Sequence, residues 1–279
     1  MDWRGRRGSR NIEDRRGTGA SRGGVVTGGV GVVVVLLLGA FFGVDVTPLL
    51  QDQGTRAPQE ITAEDRVAGE FVSVTLADTE EVWADVFRAQ LGRQYRPPVL
   101  VLFKGATQSP CGGADGASGP FYCPADRKAY LDTAFFVTLE HRLGAKGDFA
   151  AAYVVAHEIA HHVQNELGIL AQVNERRRQV PERESNALSV RVELQADCFA
   201  GLWAREAQRK FGALEPGRVE EAVNAARSIG DDTLQAAAGR RPNPHTFTHG
   251  TSEQRARWFV TGLKSGRVAA CDTFAAARL

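Results

Sequence analysis

The sequence predicts an α+β domain, predominantly helical, behind one N-terminal transmembrane helix. Three features carry this reading. They are an uncharged apolar run from Val25 to Val44, several amphipathic segments with helical periodicity, and one short strand-like run, PPVLVLFKG. With 279 residues, 43% hydrophobic and 24% charged, the chain can bury a sizeable core. Its net charge is only +1, and the conspicuous basic residues crowd the N-terminus instead of covering a domain face. Nucleic-acid binding is therefore not expected.

Residues 1–24 form an arginine-rich tail, 25–46 the expected span, 47–61 a linker carrying Pro48, Gly54 and Pro58, and 62–279 the folded domain. The run VVTGGVGVVVVLLLGAFFGV is about as long as a bilayer-crossing helix requires and has no polar face. The arginines before it place the N-terminus in the cytoplasm and the domain outside the cell membrane, as a single-pass anchor. A cleaved signal peptide competes with this reading. The apolar run is longer than a usual signal core, however, and no small-x-small cleavage site follows it. An exported domain can keep disulfides. Cys111 and Cys123 bracket a Gly-rich loop and leave Cys198 with Cys271, although three pairings are open to four cysteines and buried free thiols are the alternative.

ITAEDRVAGEFVSVTL and DTEEVWADVFRAQLG read as two helices, the second capped by Asp78 or Thr79, with Val82, Trp83, Val86 and Phe87 on its core face. PPVLVLFKG suits a buried strand, PADRKAYLD an adjacent one, and DTAFFVTLEHRLG a helix capped by Asp132. After Gly147 comes a helix, DFAAAYVVAHEIAHHVQNELG, ending at Gly168. A charged connection, NERRRQVPERES, leads to a long helix through ALSVRVELQADCFAGLWAREAQRKFG. Helices near 216–229 and 231–238, a turn-rich stretch and a last helix from Ser252 complete the chain.

The chemistry centres on His157-Glu158-Ile159-Ala160-His161. Residues four apart on a helix project about 40° apart in azimuth, so His157 and His161 can chelate one ion. Glu158 lies beside that ion without ligating it, placed to take a proton from water activated by zinc and return it to a leaving amine. Six histidines in 279 residues produce this pattern by chance on the order of one time in a hundred. For a third ligand, the extended pattern with glycine and histidine fails, because those positions hold Gln164 and Leu167. The long helix offers Glu193 as ligand and Asp197, one turn on, to accept a hydrogen bond from a ligating histidine. Two solvent-facing acids would be the plain alternative, but Val190, Val192, Leu194, Ala196 and Phe199 surround them. Cys198 points away from this face, and His162 and His141 are read as structural. Of His245 and His249, the second is preferred as facing the cleft, since Gly250 and the helix from Ser252 fix its place.

RGSRNIEDRRG, GPFYCPADRKAYLD, HEIAHHVQN, ELQADCFAGLWA and FTHGTSEQRARWF together give the chain a resemblance to the bacterial putative neutral zinc metallopeptidase family over almost its whole length. The resemblance implies a zincin-like domain and a zinc metallopeptidase, most simply a metalloendopeptidase, cutting a peptide or protein substrate. His157 and His161 are then ligands and Glu158 the acid/base. Glu193 with Asp197 is similar to the second-helix motif of gluzincins such as thermolysin, though farther along the chain from His161. His249, which follows both metal-bearing helices, is the candidate for the later histidine that such enzymes aim at the scissile carbonyl oxygen. The contrasting reading is an inactive, membrane-tethered, zinc-containing binding or scaffold protein, for which Glu158 would have no use. The resemblance supplies no role for RNIEDRRG.

Overall fold

The computed structural model describes residues 1–17, 60–115, 119–141, 147–212 and 218–279. The span expected at 25–46, and the expected linker up to residue 59, lie outside the described residues. No described helix is long and apolar enough to cross a membrane.

The main domain starts at Thr62, whose side chain accepts from Asp65 N while Asp65 Oδ2 accepts from Thr62 N. This reciprocal capping satisfies two amide donors that a helix start would otherwise leave unpaired. Helix α1 (Ala63–Val86) then runs unbroken into a π-helical turn, Phe87–Leu91, closed by Gly92 in the left-handed conformation. The second helix start expected at Asp78 or Thr79 is absent. Both residues are buried in mid-helix, where Thr79 Oγ1 donates to Leu76 O at 2.7 Å and Asp78 pairs with Arg6. The capping chemistry of an aspartate was legible locally, whereas its distant arginine partner was not.

The four-stranded sheet has the order β1-β2-β6-β5, with β1 (Ile12–Asp14), β2 (Val99–Phe103) and β6 (Lys128–Asp132) parallel and β5 (Phe121–Cys123) antiparallel on the far edge. A separate hairpin pairs β3 (Ala106–Ser109) with β4 (Gly112–Asp115). Strand β2 is apolar on both faces because both are covered; Leu100 through Phe103 are each no more than 1% exposed. The expected strands at PPVLVLFKG and PADRKAYLD are β2 and β6. The N-terminal tail differs from expectation: through residue 17 it belongs to the fold, with Ile12, Glu13 and Asp14 in register with Leu100, Val101 and Leu102.

Among the described residues seven further helices follow: α2 (Phe135–His141), α3 (Asp148–Glu166), α4 (Ile169–Arg177), α5 (Glu182–Phe211), α6 (Val219–Ser228), α7 (Asp231–Ala237) and α8 (Ser252–Ser265). Asp132 Oδ1 accepts from Ala134 N just ahead of α2, close to the capping role expected. Helix α3 stops as expected, with Gly168 left-handed at φ 80°. The charged connection at 174–185 is largely helical, made of the last turn of α4 and the first turn of α5, because arginines and glutamates are good helix formers on an exposed face.

Helices α5 and α8 cross at backbone contact. A Cβ built on Gly201 would lie 1.9 Å from Phe259 O, and one on Gly262 would lie 1.8 Å from Cys198 O. Only glycine permits that approach. The cysteines pair as Cys111–Cys123 and Cys198–Cys271, the second bond tying the buried face of α5 to the C-terminal segment. Replacing Gly201 with alanine must separate the helices that carry Glu193, Asp197 and Arg255. We expect a loss of about 3 kcal/mol or more, at or above the usual cost of overpacking, read as a lower denaturant midpoint of Gly201→Ala.

Candidate metal centre

Helix α3 is buried along most of its length between the sheet, α1, α5 and α6, so its faces are assigned by periodicity. Tyr153, His157, His161 and Gln164, spaced four, four and three, all face α5: the first two and Gln164 are hydrogen-bonded to it, and His161 approaches Glu193. Opposite, α5 presents Glu193 and, one turn on, Asp197. The two helices thereby bring together His157, His161 and Glu193, each offering a donor atom within 4.8 Å of the others. His157 Nε2 lies 3.1 Å from Glu193 Oε2, and His161 Nε2 lies 3.5 Å from Glu193 Oε1.

The other ring nitrogens are engaged as well. His157 Nδ1–H donates to Asp197 Oδ1 at 2.9 Å, which leaves the Nε2 lone pair for an ion. His161 Nδ1–H donates to Gln164 Oε1 at 2.8 Å, with the same consequence. The Gln164 amide is itself fixed by donating to Val192 O at 2.7 Å and Gln195 Oε1 at 3.1 Å. Gln195 in turn donates to Cys271 O. Asp197 is wholly buried and also accepts from Tyr153 OH at 2.5 Å and from Arg255, whose Nε and Nη2 reach its two oxygens at 2.9 and 3.0 Å. Arg255 is 2% exposed.

Electrostatics follow from this packing. Burial works to lower the His157 pKa, yet Asp197 and the Glu193 hydrogen bond outweigh it and raise it to about 10. Burial works to raise Glu193, while the two imidazoles hold it well below the usual carboxylate range. Asp197 is likewise held down, against burial, by Arg255 and His157. Glu158 is different: burial raises its pKa, so this carboxyl accepts a proton more readily than an exposed one. A pocket with two imidazoles and an ionised glutamate that favours positive charge fits zinc, which takes nitrogen and oxygen donors and displaces protons from them.

These residues open onto a cleft of about 820 Å³ that Glu158 and His249 also line, with Phe121, Tyr122, Leu170 and Val192 supplying apolar wall. His249 stands exposed at the rim. Its Nδ1 lies 3.2 Å from Asp231 Oδ1, and Asp231 Oδ2 accepts from the backbone N–H groups of Thr248, His249 and Gly250. That hydrogen bond, ahead of opposing burial, raises the His249 pKa. The helix cap is a different residue: Thr251 caps α8 with Gln254. His245 sits in an exposed 3₁₀ turn outside the lining of the cleft. His162 has the structural place expected, between Tyr122 OH at 3.0 Å and Arg96 O at 2.7 Å, and burial lowers it to about 4. Nothing is described of the His141 side chain. Cys198 turns from the centre into its disulfide.

Tyr153, Gln164, Arg255 and Asp231 were not read from the sequence as parts of the site. Tyr153 had a usable signal, lying one turn before His157 on the same face. Gln164 was noticed only as a departure from the extended motif. Arg255 and Asp231 are brought in by the tertiary fold.

The family model described as "Putative neutral zinc metallopeptidase" matches residues 1–274. The chain is 46% identical over 288 aligned residues to the uncharacterized protein YpfJ of Escherichia coli K12, covering 98% of this chain and 99% of that one. It is 45% identical over 195 residues to the uncharacterized protein Rv2575 of Mycobacterium tuberculosis, covering 66% of this chain and 65% of that one. No solved structure matches.

The ion pair of Arg255 with Asp197 is buried on both sides. Breaking it by Arg255→Met strands a charge in the core, so stability should fall by about 3–5 kcal/mol, measured by chemical denaturation.

Proposed function

Because the chain belongs to the neutral zinc metallopeptidase family, we propose that it hydrolyses peptide bonds with His157, His161 and Glu193 holding one zinc ion. The observation that carries this is the convergence of both imidazole Nε2 atoms on the Glu193 carboxylate, with Glu158 lining the same cleft. When bound, zinc supplies Lewis acidity that brings a water's pKa to about 7 and polarises a carbonyl. The chain's own groups do the rest.

Glu158 takes a proton from the attacking water at its carboxylate and delivers it to the departing amine nitrogen. Its raised pKa narrows the gap between the two transfers. Asp197 holds the His157 ring through Nδ1, and Gln164 does the same for His161, so neither imidazole must be ordered at the moment of reaction. His249, oriented by Asp231, donates a hydrogen bond to the carbonyl oxygen as negative charge builds there. The apolar cleft wall suits an extended peptide with hydrophobic side chains, consistent with an endopeptidase. Attachment to a membrane is supported by the uncharged run from Val25 to Val44.

The purified chain is expected to carry about one zinc, with His161→Ala removing it. Glu158→Gln should retain zinc, by elemental analysis, and lose hydrolysis of an unfolded protein substrate. Zinc loss in the glutamine variant would refute the role given to Glu158. For His249→Ala, turnover should fall about 10²- to 10³-fold, the usual cost of removing one such donor, at unchanged zinc content and melting temperature. Near-normal turnover would remove His249 from the mechanism.

A further inference from the structure

The tail that carries RNIEDRRG is built into the domain. Ser9 N donates to Ser73 O at 2.9 Å, Leu100 N to Asn11 O at 2.8 Å, and Arg15 N to Leu102 O at 2.7 Å. Charges match along the contact. Arg6 pairs with Asp78, Arg7 with Glu81 at 2.9 Å, and Glu13 with Lys128 at 2.6 Å, while Asn11 Nδ2 donates to Glu80 at 2.7 Å. Met1 and Trp3 are buried, with Trp3 edge-on to Phe71 and its Nε1 donating to Asp148 at 3.1 Å. Two glycines make room: a Cβ on Gly8 would lie 2.5 Å from Ser73 Oγ, and one on Gly69 would lie 2.7 Å from the Arg16 guanidinium. Without the tail, β2 would become an exposed apolar edge, an aggregation hazard.

The two ends of the stretch from 18 to 59 also adjoin. A Cβ on Gly17 would lie 3.6 Å from Ile61 Cδ1. Between them the sequence has one uncharged run, Val25 to Val44, enough for one crossing of a hydrocarbon layer about 30 Å thick and too short for two. One crossing would set Gly17 and Ile61 on opposite faces. A tail supplied by a second copy would not escape this, since every copy has the same topology. We infer that residues 1–17 and the domain from residue 60 lie on the same side of any membrane to which the chain is attached. This replaces the expected arrangement of a cytoplasmic N-terminus and an extracytoplasmic domain. Of the arginines that suggested it, Arg6 and Arg7 pair with the domain's Asp78 and Glu81, and Arg15 and Arg16 with the tail's own Glu13 and Asp14. The inference does not depend on the proposed peptidase activity.

The test uses the full chain in the membranes of bacterial spheroplasts, with Arg10→Cys in one version and Glu175→Cys in another; both positions are exposed and the four native cysteines are paired. A membrane-impermeant maleimide is added to sealed spheroplasts and, separately, after permeabilisation. The two versions should behave alike, both reacting in sealed spheroplasts or both only after permeabilisation. Reaction of one in sealed spheroplasts while the other requires permeabilisation would overturn the inference.

Discussion

The Asp197 carboxylate is the constraint on which the rest of the centre depends. It is wholly buried, and it joins three elements: Tyr153 and His157 on α3, its own helix α5, and Arg255 on α8. An ionised carboxylate in that position is sustained only if its lone pairs are filled and its charge answered. Arg255 supplies the charge, and the tyrosine and histidine supply donors. The orientation of His157 is thus an outcome of solving a burial problem, and the imidazole cannot turn without leaving Asp197 short of a partner.

The glycine contact between α5 and α8 belongs to the same solution. A guanidinium reaches both carboxylate oxygens in one geometry, so the helix separation has little latitude. Gly201 and Gly262 set that separation at backbone contact, and the Cys198–Cys271 bond holds the segment whose carbonyl receives Gln195. Through Gln195 and Gln164 this second chain of hydrogen bonds ends on His161. Each histidine is therefore positioned from a different direction, one by a charged network and one by a neutral amide relay.

What the sequence revealed follows from the range of the interactions involved. His157, Glu158 and His161 were legible because helical spacing alone brings them together. Glu193 and Asp197 were legible in part, because acids one turn apart amid apolar neighbours imply a buried purpose. Arg255 and Asp231 were not, since their significance depends on partners 58 and 18 residues away in the chain. Asp78 shows the same limit in reverse. Its local chemistry suggested a helix cap, but Arg6, 72 residues distant, made it a mid-helix ion pair. The arginine tail was read for orientation from its position before the apolar run, whereas Arg6 and Arg7 pair with Asp78 and Glu81, more than 70 residues away.

The tail and the metal centre meet on one helix. Trp3 donates to Asp148 in the first turn of α3, and two turns farther on the same helix reaches His157. Asp148 sits where a carboxylate favours the helix macrodipole, and its acceptance of the indole N–H adds a fixed anchor at that end. The opposite end is held by Arg93, whose guanidinium donates to Glu166 O. The helix bearing both imidazoles is consequently fixed at each terminus as well as along its α5 face. Burying a charged network beside a cleft open to solvent favours local opening, and restraint from both ends opposes it. The N-terminal segment thus contacts the helix that bears both imidazoles at its first turn, without touching the site itself.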